Sequence, residues 1–335
     1  MSDECLMKVF VTGGNGFIGS MVVGALVASG RQVVCLLRDT SRTDRIDHLP
    51  FERARGDVRD PAALRAGMSR CDCTIHLAAP GGWENDHPTE LEHVIVGGAR
   101  NVLDAAATFD YHRVVMISSS AAINASDAPH IFDERAVFNV RDPSLHYAHA
   151  KHHAEEIAQE AYARGVPVIV VNPAEVYGPN DTALGTARNL IDFATARPVL
   201  VCSGGTGIVH VGDVATGIVA ALDRGRPGER YILSGENLTI RQLADLELEL
   251  LDRDAPVISI PNGLARTVAR AVAALRIPAP FNPHVVPYAS RYWFVDSSKA
   301  QRELGLRFRN ARETIQSTLE WLTETGHLKR HAPRR

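Results

Sequence analysis

The sequence predicts an α/β fold: a doubly wound parallel sheet with a smaller lobe supplied by the C-terminal half. Three observations carry this. Short apolar runs alternate with helical stretches through the first half of the 335 residues. The apolar runs are nearly continuous, as in Val33-Val34-Cys35-Leu36-Leu37 and Val168-Ile169-Val170-Val171, the pattern of strands buried on both faces. A glycine-rich segment joins the first strand to the first helix.

The elements follow in order. Lys8–Thr12 reads as a strand, Phe17–Ser29 as a helix and Gln32–Leu37 as a strand. A short strand falls near Arg53–Ala54, and a helix starts at Pro61, a residue suited to a first helical turn. Next come a strand Cys73–Leu77, a long helix Glu90–Thr108 and a strand Arg113–Ser118. A helix His146–Arg164 and a strand Pro167–Val171 close the series. Right-handed crossovers then place helices on both faces of the sheet. Beyond Pro173 the texture changes. Loops rich in Pro and Gly (Asn172–Asn180, Ser203–Gly207, Arg224–Gly228) separate helices Asp213–Asp223, Ile240–Leu251 and Arg312–Thr325 and a strand Tyr231–Leu233. Between Pro256 and Tyr288 prolines are dense and no boundary is readable.

Composition narrows the function classes. There are 36 Lys+Arg against 39 Asp+Glu, a net charge of −3, so nothing electrostatic points to nucleic acid. A hydrophobic content of 45% excludes disorder as the main state. The basic run Lys329, Arg330, Arg334, Arg335 reads as a solvated end. No apolar run approaches the ~20 residues of a membrane span. The acidic start Met1-Ser2-Asp3-Glu4 does not read as a secretory signal. Five scattered cysteines (Cys5, Cys35, Cys71, Cys73, Cys202) fit reduced thiols and a cytoplasmic location. Cys71 and Cys73 have no second Cys/His pair, so no metal site is expected.

The segment Gly13-Gly14-Asn15-Gly16-Phe17-Ile18-Gly19 holds both G-x-x-G-x-x-G and G-x-G-x-x-G. A strand precedes it and a helix follows, the context in which such a loop cradles a pyrophosphate on a helix N-terminus. The plainer reading is an ordinary turn. The fold is thus expected to be Rossmann-type. Residues 1–172 form the dinucleotide-binding part, with 199–233 returning to its sheet. Residues 173–198 and 234–335 form a substrate-binding lobe over the carboxyl ends of the strands.

The residues after the second strand choose the nucleotide. Asp or Glu there binds a ribose hydroxyl, and Arg accommodates the 2′-phosphate of NADP. Here Arg38 comes first, followed by Asp39, with Arg42 and Arg45 beyond. Arg38 favours NADP(H), NAD(H) remaining possible. Arg42 and Arg45 can equally be solvated loop charges. Asp57 can accept from the adenine amino group or cap the helix at Pro61.

Tyr147 and Lys151 stand four apart at the start of a helix, on one face. An ammonium beside a phenol favours phenolate and lowers a pKa of about 10, which fits Tyr147 to give a proton to a developing alkoxide. Ser118-Ser119-Ser120 end the preceding strand, where hydroxyls face the ligand crevice or cap the backbone.

Together these residues resemble the extended short-chain dehydrogenase/reductase family, also called the epimerase/dehydratase family. The likeness covers nearly the whole chain. It continues through Gly56-Asp57, His76-Leu77-Ala78-Ala79, Gly98–Leu103, Asn172-Pro173, Val176–Pro179, His210–Ala215 and Ser298–Gly305. Leu37-Arg38-Asp39, His76–Pro80 and Phe132-Asp133-Glu134 look most like the dihydroflavonol-reductase-like branch, whereas Gly205–Gln242 looks equally like sugar epimerases.

The resemblance implies roles. Lys151 binds the nicotinamide ribose and acidifies Tyr147. Ser120 matches the catalytic serine, with Ser119 as the alternative. Gly13, Gly16, Phe17, Ile18, Gly19, Arg38, Asp57, Val58, Leu77, Ala78 and Ala79 line the cofactor groove. Pro173 and Val176 pack near the nicotinamide, and Tyr177 and His210 lie near the substrate or behind it. Glu175 departs from the family's usual small or neutral residue. It contacts substrate or is an exposed loop charge. Trp83 covers a substrate ring or packs under its loop. His149 and His153 share a helix face away from Tyr147, and a solvent or subunit role suits them. The helices Glu90–Thr108 and His146–Arg164 form the family's frequent dimer seam, so a homodimer is expected.

The resulting reading is an NADP-dependent oxidoreductase that reduces a ketone or aldehyde of a small-molecule metabolite, with Tyr147 as proton donor. The alternative is an NAD-dependent nucleotide-sugar epimerase or dehydratase, for which Arg266, Arg270, Arg276 and Arg291 leave room. A non-catalytic NADP(H)-sensing protein is the third possibility, and the Ser–Tyr–Lys set weighs against it.

Overall fold

The computed structural model describes residues 7–81, 87–275 and 282–329. Its main sheet is seven-stranded and parallel throughout, in the order β11-β7-β5-β4-β1-β2-β3. These strands are β1 (Lys8–Thr12), β2 (Gln32–Leu37), β3 (Glu52–Arg55), β4 (Cys73–His76), β5 (Arg113–Ile117), β7 (Val168–Pro173) and β11 (Arg230–Leu233). The order reverses beside β1, so β1 and β4 flank the crevice where open sheets of this kind bind ligands.

Each face of the sheet has its own core. Helices α1 (Phe17–Ala28) and α7 (Val211–Arg224) cover one side, burying Val22, Val23, Leu26, Val214 and Ile218. Helices α2 (Pro61–Met68), α4 (Gly97–Ala106) and α5 (His146–Ala163) cover the other, burying Leu64, Met68, Val102, Leu103 and Ile157. The start of α2 is fixed by Asp60, which accepts from the Ala62 and Ala63 N–H groups, and by Pro61. The expected helix Glu90–Thr108 is interrupted. It runs as α3 (Pro88–Leu91), a π-helical turn Glu92–Val96, and then α4.

A second sheet lies beyond the carboxyl ends of the first. It holds β12 (Glu236–Thr239), β10 (Gly205–His210), β14 (Tyr292–Val295) and β6 (Ile131–Phe132), with β8 (Glu175–Tyr177) also paired to β10. A two-stranded ribbon joins β9 (Val199–Cys202) to β13 (Val257–Ile260). Helices α6 (Ala187–Thr195), α8 (Ile240–Leu250) and α12 (Ala311–Glu324) pack around Tyr177, Leu190, Leu243 and Ile315. The remaining helices are α9 (Asn262–Leu275), α10 (Val286–Ala289) and α11 (Ser298–Leu304). Of the segment 199–233 expected in the main sheet, only 211–233 returns there, as α7 and β11. β9 and β10 pair within the smaller sheets. Their apolar pattern marks a buried strand but does not name its neighbour.

Candidate active site

A cavity of about 1160 Å³ runs from the glycine loop, past the ends of β4 and β5, to α9. Gly13, Gly16, Phe17, Ile18 and Gly19 all line it. Gly13 has φ +69°, and a Cβ there would stand 2.8 Å from the Ala78 backbone nitrogen. A Cβ on Gly19 would fall 2.0 Å from the Gly13 carbonyl oxygen. Only glycine lets the loop close this tightly. The N-cap of α1 is Gly16, with no side-chain cap and no acidic residue in the first turn. The helix therefore presents bare N–H groups and positive dipole to the cavity, and these fit a dinucleotide's phosphates.

Leu77, Ala78, Ala79, Val58, Asp57 and Arg38 also line the cavity. The end of β4 is tied to β1 through Thr12. Its hydroxyl lies 2.7 Å from His76 Nδ1 and accepts from the Ala78 N–H at 3.3 Å. Burial pushes the His76 pKa down to about 3, so this ring is neutral. Asp57 is gripped by Arg59 through Nε at 2.9 Å and Nη2 at 2.8 Å, which holds it below the usual carboxylate range. The α2 cap is Asp60, not Asp57.

Asp39 faces Arg55 at 3.7 Å and does not line the cavity. Arg38 does line it, beside Ser41, whose hydroxyl accepts from the Arg38 N–H. Arg42 pairs with Asp44 at the surface. Arg45 is no free surface charge. It donates to the carbonyls of Asn15 and Asn180, each at 3.1 Å, and to the Thr182 hydroxyl. It thereby clips the glycine loop to the segment after β8, a role its spacing in sequence did not reveal.

Tyr147 opens α5 on the cavity wall. Lys151, one turn on, is buried. Its ammonium donates to the Ile117 carbonyl at 2.9 Å and lies 5.8 Å from the centroid of the Tyr147 ring. Burial draws its pKa down to about 8, opposed by Glu155 a further turn along. Glu155 is itself held by Asn172 at 2.5 Å and Arg230 at 3.1 Å. The expected lowering of the Tyr147 pKa is not what this geometry gives. Burial raises it, and the nearby Ser119 works in the opposite direction. Both serines line the cavity, and Ser119 is the one that acts on the Tyr147 pKa. Ser119 also caps the short 3-10 turn Ser120–Ala122, in which Ser120 is buried.

The other expected residues divide. Val176 and Glu175 are on the wall, whereas Pro173 is not. The Glu175 carboxyl accepts from the Tyr177 hydroxyl at 2.8 Å and from Asn189 at 3.0 Å, and burial raises its pKa. It is not an exposed loop charge. Tyr177 is fully buried behind it. His210 does not reach the cavity. Its Nδ1 caps α7 by accepting from the Gly212 N–H at 3.0 Å and is approached by Arg309 at 2.9 Å. His149 meets the Asp142 carbonyl at 3.0 Å, and His153 stands 3.9 Å from Glu92, so the two are not joined at one site. Trp83 and Arg276 lie outside the described residues.

The far wall was missed. It is built by Leu264 and Val268 of α9, Leu200 and Ile260 of the ribbon, Leu243 and Trp293. The spacing of Leu264, Val268 and Val272 is a helical signal inside the proline-dense stretch.

The model of the NAD dependent epimerase/dehydratase family matches residues 9–234. The chain belongs to this family. It is an NAD(P)-dependent enzyme of the short-chain dehydrogenase/reductase type, as its similarity to reductases along its full length also shows. It is 32% identical to sterol demethylase protein B of Methylococcus capsulatus (strain Bath), over 96% of this chain and 99% of that one. It is 30% identical to a putative dihydroflavonol 4-reductase of Synechocystis, covering 96% of each chain. The crystal structure of gox2253 superposes with a TM-score of 0.83 at 30% identity, over 96% of this chain and 99% of that one. Among the described residues no helix is long and apolar enough to cross a membrane.

Proposed function

We propose that the enzyme uses NADPH to reduce a ketone or aldehyde of a small-molecule metabolite to an alcohol. The observation that carries this is that Arg38 and not Asp39 stands on the cavity wall at the end of β2, while Arg45 on the same wall is engaged by Asn15, Asn180 and Thr182. A guanidinium beside Ser41 suits a 2′-phosphate, and Asp39 is not on the wall where a carboxylate would receive a ribose hydroxyl. Arg38, Ser41, Asp57 and Val58 would hold the adenosine end, and the α1 N-terminus the pyrophosphate. Ala78, Ala79 and Val176 would flank the nicotinamide. When bound, the dinucleotide supplies the hydride that reaches the carbonyl carbon.

The chain's own residues manage the proton. Ser119 and Tyr147 bind the carbonyl oxygen, and the Tyr147 phenol gives its proton to the oxygen as negative charge develops there. The Lys151 ammonium stabilises the phenolate left behind, and solvent restores the proton. Ser119 is preferred to Ser120 in this role because it is the serine that acts on the Tyr147 phenol, while Ser120 is buried.

The nucleotide-sugar alternative has less support. Arg266 is spent on Ser290 and Arg291 on Pro287 and Asp142, and neither lines the cavity. Titrating the purified protein with NADPH and NADH, followed by fluorescence, tests the reading. A clear preference for exchangeable NADPH is expected. Tightly retained NAD with no discrimination would overturn it.

A further inference from the structure

Beyond the catalytic wall the cavity is an apolar pouch. Leu200, Leu264 and Val268 are 52%, 57% and 42% exposed, and all three face into it. Single exposed aliphatic residues are ordinary on a protein surface. Three that converge on one concavity, backed by Leu243, Ile260 and Trp293, form a binding surface for an apolar body. The indole N–H of Trp293 is already satisfied by the Tyr288 carbonyl at 3.0 Å, so the ring offers packing and no donor.

The charges on the wall point the same way. Arg188 is neutralised by Asp192 at 3.0 Å, and Arg45 is consumed by the loop contacts described above. The carboxyls of this wall are engaged as well, Asp192 by Arg188, Glu175 by Tyr177 and Asn189, and Asp181 by the Ala187 N–H. Among the described residues of the pouch wall, Arg197 is the one arginine left exposed without a partner named above. Among the described residues, a diphosphate brought into this pouch would meet no basic cluster.

We infer that the substrate is a bulky, mostly apolar carbonyl compound of at least two fused rings or equivalent size, its carbonyl at Tyr147 and its hydrocarbon body against α9. This rests on the reductase reading and names the substrate class for it. The balance is that of any carbonyl reduction: one hydride from NADPH to carbon, one proton from Tyr147 to oxygen.

The test is a ketone series of rising size, with cyclohexanone, trans-2-decalone and 5α-androstan-3-one, each assayed for NADPH oxidation. In parallel, binding of the same ketones to the NADP⁺-loaded protein is followed by tryptophan fluorescence. At each step in size, kcat/KM and affinity are expected to rise at least about tenfold, since each ring adds several buried methylenes. In Leu264→Gln and Val268→Gln the gain is lost in proportion to ketone size, while NADPH affinity, the check on folding, is kept. Equal kcat/KM across the series, or UDP-glucose displacing trans-2-decalone at matched concentration, would overturn the inference and leave the reductase reading standing. Size-dependent binding without NADPH oxidation would sink the reductase reading and uphold the apolar pouch. Absence of both turnover and binding would refute the pouch as well.

Discussion

The Lys151 ammonium stands 5.8 Å from the centroid of the Tyr147 ring and is anchored to the Ile117 carbonyl at the end of β5. The pair therefore spans the helix and the strand that meet at the reaction site. Of the two, Lys151 titrates in the working range, its pKa drawn down to about 8 by burial. Tyr147 is pushed up by burial. Below about pH 8 Lys151 is charged and can stabilise a phenolate; above it the charge is lost. We expect kcat/KM for the ketone to fall as pH rises through about 8. Lys151→Met should lower kcat by two or more orders of magnitude and abolish that alkaline limb. A profile that stays flat from pH 7 to 9.5 would contradict the assignment.

Tyr147→Phe removes the proton donor and nothing else on the wall. A loss of about 10²–10⁴-fold in kcat is expected, the range for general acid catalysis, with NADPH affinity retained. Ser119→Ala should cost more activity than Ser120→Ala, because Ser119 is the serine that acts on the phenol. It also removes the cap of the 3-10 turn, a loss of about 1 kcal/mol of stability measurable in urea. Greater damage from Ser120→Ala would return the catalytic role to that residue.

Arg38→Glu tests the nucleotide end. The reversed charge should weaken NADPH binding about a hundredfold, the scale of a lost charge-assisted contact plus repulsion. NADH binding should change little, since its ribose carries no phosphate. Isothermal titration with both nucleotides decides. Parallel losses for the two would mean that Arg38 acts on the adenine alone.

Much of this was readable in the sequence because it is encoded locally. The glycine loop, the apolar strands and the Tyr147–Lys151 spacing each depend on residues a few positions apart. What escaped depends on tertiary placement. Val199–Cys202 has the pattern of a buried strand, yet it pairs with Val257–Ile260, more than fifty residues on. Ser119 and Ser120 are told apart only by the turn after β5, where Ser119 caps and Ser120 is buried. His210 belongs to a motif that the resemblance places near the substrate or behind it, and the fold ties its ring to a helix cap. Arg45 looked like loop charge because its three partners lie 30 to 137 residues away.

The final prediction concerns the support under Lys151. Glu155 is 1% exposed, and its ion-pair partner is Arg230 at 3.1 Å. Arg230→Met leaves that carboxylate buried without its counter-charge, a loss of about 3–5 kcal/mol. Burial already raises the Glu155 pKa even with Arg230 in place, and removing the guanidinium raises it further. A carboxyl whose folded-state pKa lies above its unfolded value is protonated more readily in the native state. The native state of the variant is therefore penalised most at high pH and relieved as pH falls through the folded-state pKa. Urea unfolding at pH 8 and pH 5 should show a deficit against wild type that shrinks in acid. Arg230→Met combined with Glu155→Gln should recover part of it at pH 8. If the deficit is the same at both pH values and in the double variant, Arg230 acts through its bonds to the Glu134 and Ala136 carbonyls and not through Glu155.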